Sequence, residues 1–354
     1  MSTWRCLVSA WFALCALFAA APLLAAERVP SQVGYEQRPE VIALIEELES
    51  ENAFDARSLK RTFAEARYLP AVVAAMSRPI ASPPKWYEYS PPFLDPGRVD
   101  AGLVFWRAHA ATLARAQSEF GVPAEFVVAI IGVETYYGRN TGRFRVLDAL
   151  TTLAFDYPRR APFFRNELKE FLLLAREQHR SPLTFMGSYA GAMGLPQFMP
   201  DSVRLYALDY DADGRIDLAA DADDAIGSVA NFLLRHQWQA RQPVMVPVRI
   251  ESDKELSVLR TFDGGVAERR SIAGWLESGV NGFTIPSDLS ADPVGLLMLE
   301  NTTGTEYWMV FNNWYVLTRY NRSRLYASAV WHLAQMLKEA AKEDAALASL
   351  SAGG

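Results

Sequence analysis

The stretch FVVAIIGVETYYGRNTG, residues 126–142, sets a single acid, Glu134, near the end of an apolar run. At helical spacing Val127, Ile130, Ile131 and Glu134 fall on one face, three and four residues apart. In an amphipathic helix that face packs inward, and the carboxyl goes with it. Burial disfavours the charged form of a carboxyl and raises its pKa, so Glu134 can stay protonated near neutral pH. A general acid that protonates a glycosidic oxygen needs that property. A plainer reading stands beside it, in which Glu134 is a solvated helix-end residue or a structural partner for Arg139.

The chain around this helix has 354 residues, half of them hydrophobic, and a net charge of −6. That is enough for a sizeable core. The acidic balance argues against nucleic acid as a partner, since such a surface would be basic. Residues 1–26 read as a signal peptide, with one Arg, an apolar stretch and small residues before Glu27. An uncleaved leader serving as a membrane anchor is the alternative. Both cysteines, Cys6 and Cys15, lie in this leader, so the mature protein has no disulfide, thiol nucleophile or Cys-metal site. No later segment is long and apolar enough to span a membrane.

Apolar spacing predicts helices near 38–50, 56–68 and 98–118, another after Pro123, and further ones over 161–177, 222–238 and 321–345. The Pro-rich SRPIASPPKWYEYSPPFLDPG (77–97) reads as an extended crossing segment, with Trp86, Tyr87 and Tyr89 either lining a groove or pinning the loop. PVMVPVRI, GLLMLEN and EYWMVF, between about 240 and 310, lean toward β-structure. The organisation expected is a 27–100 helical and extended segment, a 101–240 core and a 241–310 β-rich module. A 311–345 helical region and a disordered 346–354 tail would follow. The fold class is mainly α (α+β).

Two further segments bear on chemistry. GSYAGAMGLPQFMP (187–200) has three Gly and two Ala that allow close backbone approach, with Ser188, Tyr189 and Gln197 suited to sugar hydroxyls and amides. It lacks the Gly-Lys-Ser/Thr ending of a phosphate cradle. LDALTTLAFDYPRRAPFFRNEL (147–168) adds Arg159 and Arg160, either able to hold a carboxylate.

VETYYGRNTGRFRVLDALTTLAFDYPRRAPFF, GSYAGAMGLPQFMPDS, DAIGSVANFLLRHQW and TRYNRSRLYASAVWHL resemble, in order and spacing, blocks of the lytic murein transglycosylase B family. The resemblance spans about residues 35–340. It implies a lysozyme-like helical core that cuts the bond between N-acetylmuramic acid and N-acetylglucosamine in peptidoglycan, closing the muramic C6 hydroxyl onto C1 to leave a 1,6-anhydro end. By position it places the catalytic acid/base on Glu134. Groove-lining residues fall on Tyr89, Arg159, Arg160, Ser188, Gln197, Tyr320 and Tyr326. Phe232 stands where the family has a groove Tyr, so a hydroxyl contact is lost there. A glycosidase that inverts or retains in the ordinary way needs two flanking carboxylates, whereas an intramolecular route needs one. The tethered hydroxyl supplies its own effective concentration. Ser188 would orient the N-acetyl group, and Asp148 or Asp156 stands as a second acid that the sequence alone does not remove.

LDYDADGRIDLAADADDAI (208–226) begins as a calcium loop, with Asp209, Asp211, Asp213, a Gly at the sharp turn and Ile216 as the apolar anchor. Arg215 would contribute only its backbone carbonyl. Ala220 occupies the usual closing position, so closure falls to Asp223 or Asp224, and the resemblance favours Asp224. The alternative is a solvated acidic turn. A structural Ca2+ and no organic cofactor are expected. His109, His179, His236 and His332 are scattered and offer no rival site.

The partners expected are peptidoglycan glycan strands and cell-wall synthesis proteins, for a monomer in the periplasm. The competing readings are a muramidase of the same fold that uses water, and a non-catalytic wall-binding scaffold. A calcium sensor is weaker, because one loop is present and sensors pair them.

Overall fold

A computed structural model describes residues 34–78, 83–285, 289 and 292–352. The expected signal peptide lies outside the described residues. In chain order the helices begin with α1 (Pro39–Asn52), α2 (Ala56–Ala64) and α3 (Pro70–Met76). The one-turn α4 (Trp86–Tyr89), α5 (Pro96–Ala108), α6 (Ala110–Phe120) and α7 (Ala124–Thr135) follow. Strand β1 (Phe144–Arg145) leads to α8 (Val146–Asp156) and α9 (Ala161–Glu177), then β2 (Met186–Gly187), α10 (Pro200–Tyr206) and α11 (Ala222–Arg235). The β-rich region carries β3 (Met245–Ile250), α12 (Glu255–Leu259), β4 (Phe262–Asp263), β5 (Val266–Ala267), α13 (Ile272–Glu277), β6 (Val280–Asn281), β7 (Gly295–Asn301) and β8 (Gly304–Val310). Helices α14 (Asn312–Tyr320) and α15 (Arg324–Ala352) close the chain.

The chain folds as two compact units that interleave in sequence. One takes the described residues of 82–137 and 226–354, the other those of 14–81 and 138–225. The single 101–240 core expected from sequence is therefore divided between them. Cores assemble from contacts distant in sequence, so a chain that leaves a unit and returns has boundaries that composition does not mark.

In the first unit α15 runs along α7. The bidentate pair of Arg107 with Asp344, at 2.6 and 2.7 Å, ties α5 to α15. Lys338 reaches Glu125 at 3.2 Å. The predicted 98–118 helix is two helices, because His109 leaves helical geometry at φ −120° and ψ 26°. α5 buries Val99, Gly102 and Phe105, and α6 buries Leu113, Ala116 and Phe120. The apolar spacing continues across the break, so the sequence pattern does not show it. The expected extended stretch 77–97 contains the turn of α4, which buries Trp86 and Tyr89 at i and i+3. α15 continues to Ala352, through most of the range expected to be a disordered tail. Its last residues are rich in Ala and Leu, the strongest helix formers, so the helix persists there.

The β-rich module expected in this unit is a six-stranded antiparallel sheet of order β4-β5-β7-β8-β3-β6. Leu297 pairs with Trp308, and Met245 and Gly295 flank Val310. One face packs on its own core of Trp275, Leu296, Met309, Val258 and Val280. Trp275 donates its indole N–H to the Val294 carbonyl at 2.9 Å, which satisfies the one polar group it buries.

In the second unit α8 and α9 pack together, burying Leu147, Leu150, Phe164, Leu168 and Phe171. β1 and β2 pair antiparallel, Phe144 opposite Gly187. Arg204 anchors α10 to α9 through Glu177, at 2.7 and 2.9 Å, and Glu170.

Candidate active site

Every residue of α7 except Glu134 is buried. The helix is apolar all round and is enclosed on all sides, where the spacing pattern implied one inward face. Pro123 caps it from outside. At its C-terminus Tyr136 and Tyr137 adopt left-handed backbone, φ 53° and 57°. Their N–H groups donate to the Gly132 carbonyl at 3.0 Å and the Ile131 carbonyl at 3.4 Å, which caps the helix without a C-terminal Gly. Arg98, buried on α5, also donates to the Gly132 carbonyl and reaches the Pro92 carbonyl at 2.7 Å. Its guanidinium lies 4.4 Å from the Tyr136 ring centre. A Cβ on Gly132 would come within 2.6 Å of the Tyr137 hydroxyl, so only glycine fits there. The turn presenting Glu134 is thus clamped by groups with no direct part in chemistry.

Glu134 keeps some accessible surface. Enough protein surrounds its carboxyl that desolvation raises its pKa to about 7, and Tyr326 pulls it down only in part. Among the described residues of its own unit, no second carboxylate enters that balance. Tyr89, Tyr320 and Tyr326 have pKa values raised by burial and then by the charge of Glu134, which places all three around the acid. The Tyr320 and Tyr326 rings stack at 6.2 Å. The Tyr326 hydroxyl faces the carboxyl closely enough to affect its pKa but short of a hydrogen bond of normal geometry, and it has no partner among the described residues. Phe232 is buried, with its face 4.1 Å from His236 and its edge against Tyr320 at 4.8 Å. It backs Tyr320. Thus five of the sequence-predicted residues, Glu134, Tyr89, Phe232, Tyr320 and Tyr326, gather in one unit.

The others belong to the second unit. Arg159 and Arg160 close the short turn after α8, Arg159 exposed and Arg160 lying over Phe163 at 4.3 Å. Ser188 sits in a tight turn, where its Oγ accepts the Ala192 N–H at 3.1 Å and its N–H donates to the Ala192 carbonyl at 2.8 Å. Gln197 takes a left-handed backbone, φ 51°. Its Nε2 donates to the Gly194 carbonyl at 2.9 Å and the Thr141 carbonyl at 3.1 Å, so both amide donors are spent and Oε1 is the group presented. Asp148 and Asp156, the acids open as a second carboxylate, each have a structural partner. Asp148 pairs with Arg145 at 2.6 Å and accepts the Arg67 N–H at 3.0 Å. Asp156 pairs with Arg38 at 2.9 Å and accepts the Tyr35 hydroxyl at 2.5 Å.

The aspartate loop is ordered by its own backbone. Asp209 accepts the N–H groups of Asp213 at 3.1 Å and Gly214 at 2.9 Å, and Asp213 accepts that of Arg215 at 2.8 Å. Carboxylate oxygens of Asp209, Asp211 and Asp213 lie within 4.8 Å of one another. Oxygens about one calcium, at roughly 2.3–2.6 Å from it, span a similar distance, so the donor set fits that ion. The Asp213 N–H lowers the pKa of Asp211, but lost hydration and the charges of Asp213, Asp221 and Asp209 outweigh it and the net shift is upward. A cation relieves that repulsion. Asp224 is buried, and its two oxygens accept the Tyr210 N–H at 2.6 Å and the Asp217 N–H at 2.8 Å. It staples the two sides of the loop.

Sequence reasoning missed Arg98, Tyr136 and Tyr137, which hold the end of α7. The Tyr-Tyr-Gly after the acid was a usable signal of a tight helix end, whereas nothing local marked Arg98. It also missed Glu167 on α9, a buried carboxyl raised to about 8 by desolvation and then by the charge of Asp201.

Known proteins resemble this chain in sequence and in fold. The family model described as the transglycosylase SLT domain matches residues 36–335. Membrane-bound lytic murein transglycosylase B of Escherichia coli K12 is 39% identical over 311 residues, covering 85% of this chain and 83% of that protein. The soluble lytic transglycosylase SltB1 from Pseudomonas aeruginosa superposes with TM-score 0.81 at 44% identity, covering 86% of this chain and 100% of that one. The Escherichia coli lytic transglycosylase Slt35, solved in complex with calcium, gives TM-score 0.78 at 38% identity over 86% and 94%. The mainly helical, lysozyme-like fold expected from sequence is the fold of these structures. The chain therefore belongs to the transglycosylase SLT domain family and is a lytic murein transglycosylase.

Proposed function

We propose that Glu134 carries out both proton transfers of this transglycosylase on the β-1,4 bond between N-acetylmuramic acid and N-acetylglucosamine. The neutral carboxyl donates its proton to the glycosidic oxygen as the bond from muramic C1 breaks. The carboxylate left behind takes the proton of the muramic C6 hydroxyl as that oxygen bonds to C1. The products are a 1,6-anhydromuramic end and a free N-acetylglucosamine 4-hydroxyl, and the acid recovers its proton without consuming water. The observation that carries this reading is a partly accessible carboxyl held by desolvation near pKa 7, with no second carboxylate beside it among the described residues of its unit. A group in this condition is divided between donor and acceptor forms near neutrality.

Tyr89, Tyr320 and Tyr326 shield the acid from bulk water and offer hydroxyls to sugar. In the second unit, Ser188, Gln197, Arg159 and Arg160 contact glycan, with Gln197 accepting from a sugar hydroxyl or acetamido N–H. Asp209, Asp211 and Asp213, with the Arg215 carbonyl, hold a calcium ion in a loop closed by Asp224, as a relative's calcium complex supports. That ion stiffens the loop and takes no part in proton transfer. The segment ahead of residue 27 exports the chain to the cell envelope, where murein lies. Digestion of purified peptidoglycan by the wild type and by Glu134→Gln, with products resolved by mass before and after borohydride, tests the mechanism. Non-reducible anhydro ends from the wild type only are expected. Reducible ends indicate a muramidase, and undiminished release by the Gln variant removes Glu134 from the chemistry.

A further inference from the structure

The loop bearing Ser188 and Gln197 and the loop bearing the aspartates meet backbone to backbone. The Leu195 N–H donates to the Leu218 carbonyl at 2.7 Å. Beside it Gly194, at φ +70°, approaches so closely that a Cβ would lie 2.4 Å from the Leu218 oxygen and 2.6 Å from its carbonyl carbon. The left-handed backbone favours glycine, and the close approach to backbone atoms leaves no room for a Cβ. A short lever extends from each side of this junction. On one, the Gln197 amide hangs on the Gly194 carbonyl at 2.9 Å, and its own N–H returns to the same oxygen at 3.3 Å. On the other, Leu218 follows Asp217, whose N–H is held by Asp224, and Ile216, whose carbonyl accepts from Gln178, just past the end of α9, at 3.2 Å. A cavity of about 220 Å³ adjoins the junction, lined by Met193, Gly194, Val203, Ile216 and Leu218. The two loops have open space beside their contact, so close packing does not fix their spacing there.

We infer that Gly194 and Leu218 are positioning residues that couple cation occupancy of the aspartate loop to glycan binding at Gln197. The inference rests on the proposed reading of those two sites. A cation that gathers the Asp209, Asp211 and Asp213 oxygens about one centre restricts the short span from Gly214 to Leu218. The Leu218 carbonyl then holds Leu195, and with it the Gly194 oxygen on which the Gln197 amide depends. Such coupling is reciprocal, so glycan must raise calcium affinity by the factor by which calcium raises glycan affinity.

The test uses the full chain carrying Glu134→Gln, which prevents turnover. Calcium is titrated by calorimetry with and without saturating soluble glycan strands prepared from purified peptidoglycan, and the glycan is titrated with and without calcium. Each dissociation constant should fall at least about fivefold in the presence of the other ligand, by matching factors. Adding Gly194→Ala should bring the factor close to one while both ligands still bind. Gly264→Ala is the control for backbone strain, since Gly264 has φ +57° with nothing within 4 Å of an added Cβ, and it should keep the factor. A residue needed only for stability would lower the melting temperature and leave the factor alone. If Gly194→Ala does not fold, the measurement on the parent decides. Equal calcium affinity with and without glycan overturns the coupling and leaves both sites standing, whereas no calcium binding at all removes the metal site and the coupling with it.

Discussion

Activity should fall as pH rises through neutrality, because Glu134 must begin the reaction protonated. With its pKa at about 7, half of the molecules carry the proton at pH 7 and about a tenth do at pH 8. An unperturbed carboxyl at 4.5 would carry it in roughly one molecule in 300 at pH 7. Initial rates of anhydro-muropeptide release, measured from pH 5 to 9 at constant ionic strength and calcium, should show an alkaline limb with its midpoint near 7. Tyr326 lowers the pKa of Glu134, so Tyr326→Phe should move that midpoint upward. Glu134→Gln, which neither gives nor takes a proton, should reduce the rate by about 10²–10⁴. The same shift has a stability consequence. A carboxyl whose folded pKa lies above its unfolded value is fully tolerated below about 4.5 and costs stability as pH climbs to about 7. The loss is then on the order of 3 kcal/mol. Glu134→Gln should therefore melt at a higher temperature than wild type at pH 8 and at about the same temperature at pH 4.5. An alkaline limb near 5, or a Gln variant with ordinary activity, would refute the reasoning.

The buried Glu167, raised to about 8, obeys the same sign rule, so the stability gain of Glu167→Gln should grow from pH 4.5 to about 8 and then level off, as thermal melts across that range would show. Arg98→Ala, by stripping the Gly132 and Pro92 carbonyls of a buried charged donor, should cost about 2–3 kcal/mol in denaturant unfolding and lower kcat, and Arg98→Lys, which lacks the planar fork, should not restore it. Removing calcium with a chelator should lower the melting temperature by the linkage of a ligand to the folded state, about 2.7 kcal/mol at a hundredfold excess over Kd, and Asp211→Ala should make the melt insensitive to chelator.

Much of this site is legible along the chain. Glu134 stands out because one acid interrupts an apolar run, and the aspartate loop because its ligands alternate around a sharp Gly turn. The β-rich region is visible because its apolar residues change period. What escapes is set by residues far apart in sequence. Arg98 clamps a helix end thirty-odd residues away, and the break at His109 is hidden beneath continuous apolar spacing. Asp148 and Asp156 look like candidate acids until their partners Arg145, Arg67, Arg38 and Tyr35 are seen.

By itself the sequence determined several of the longer helices, among them those over Pro39–Asn52, Ala124–Thr135 and Ala161–Glu177, that an acid falls on a buried helix and that three oxygen donors alternate in one loop, since periodicity and turn chemistry are local. Only the tertiary structure decided that desolvation raises the pKa of Glu134 to about 7, that Asp224 is held on the Tyr210 and Asp217 amides, and that the Leu218 carbonyl meets Leu195. Desolvation and hydrogen bonding depend on everything within a few ångströms of an atom, and in a folded chain those neighbours arrive from any distance along it.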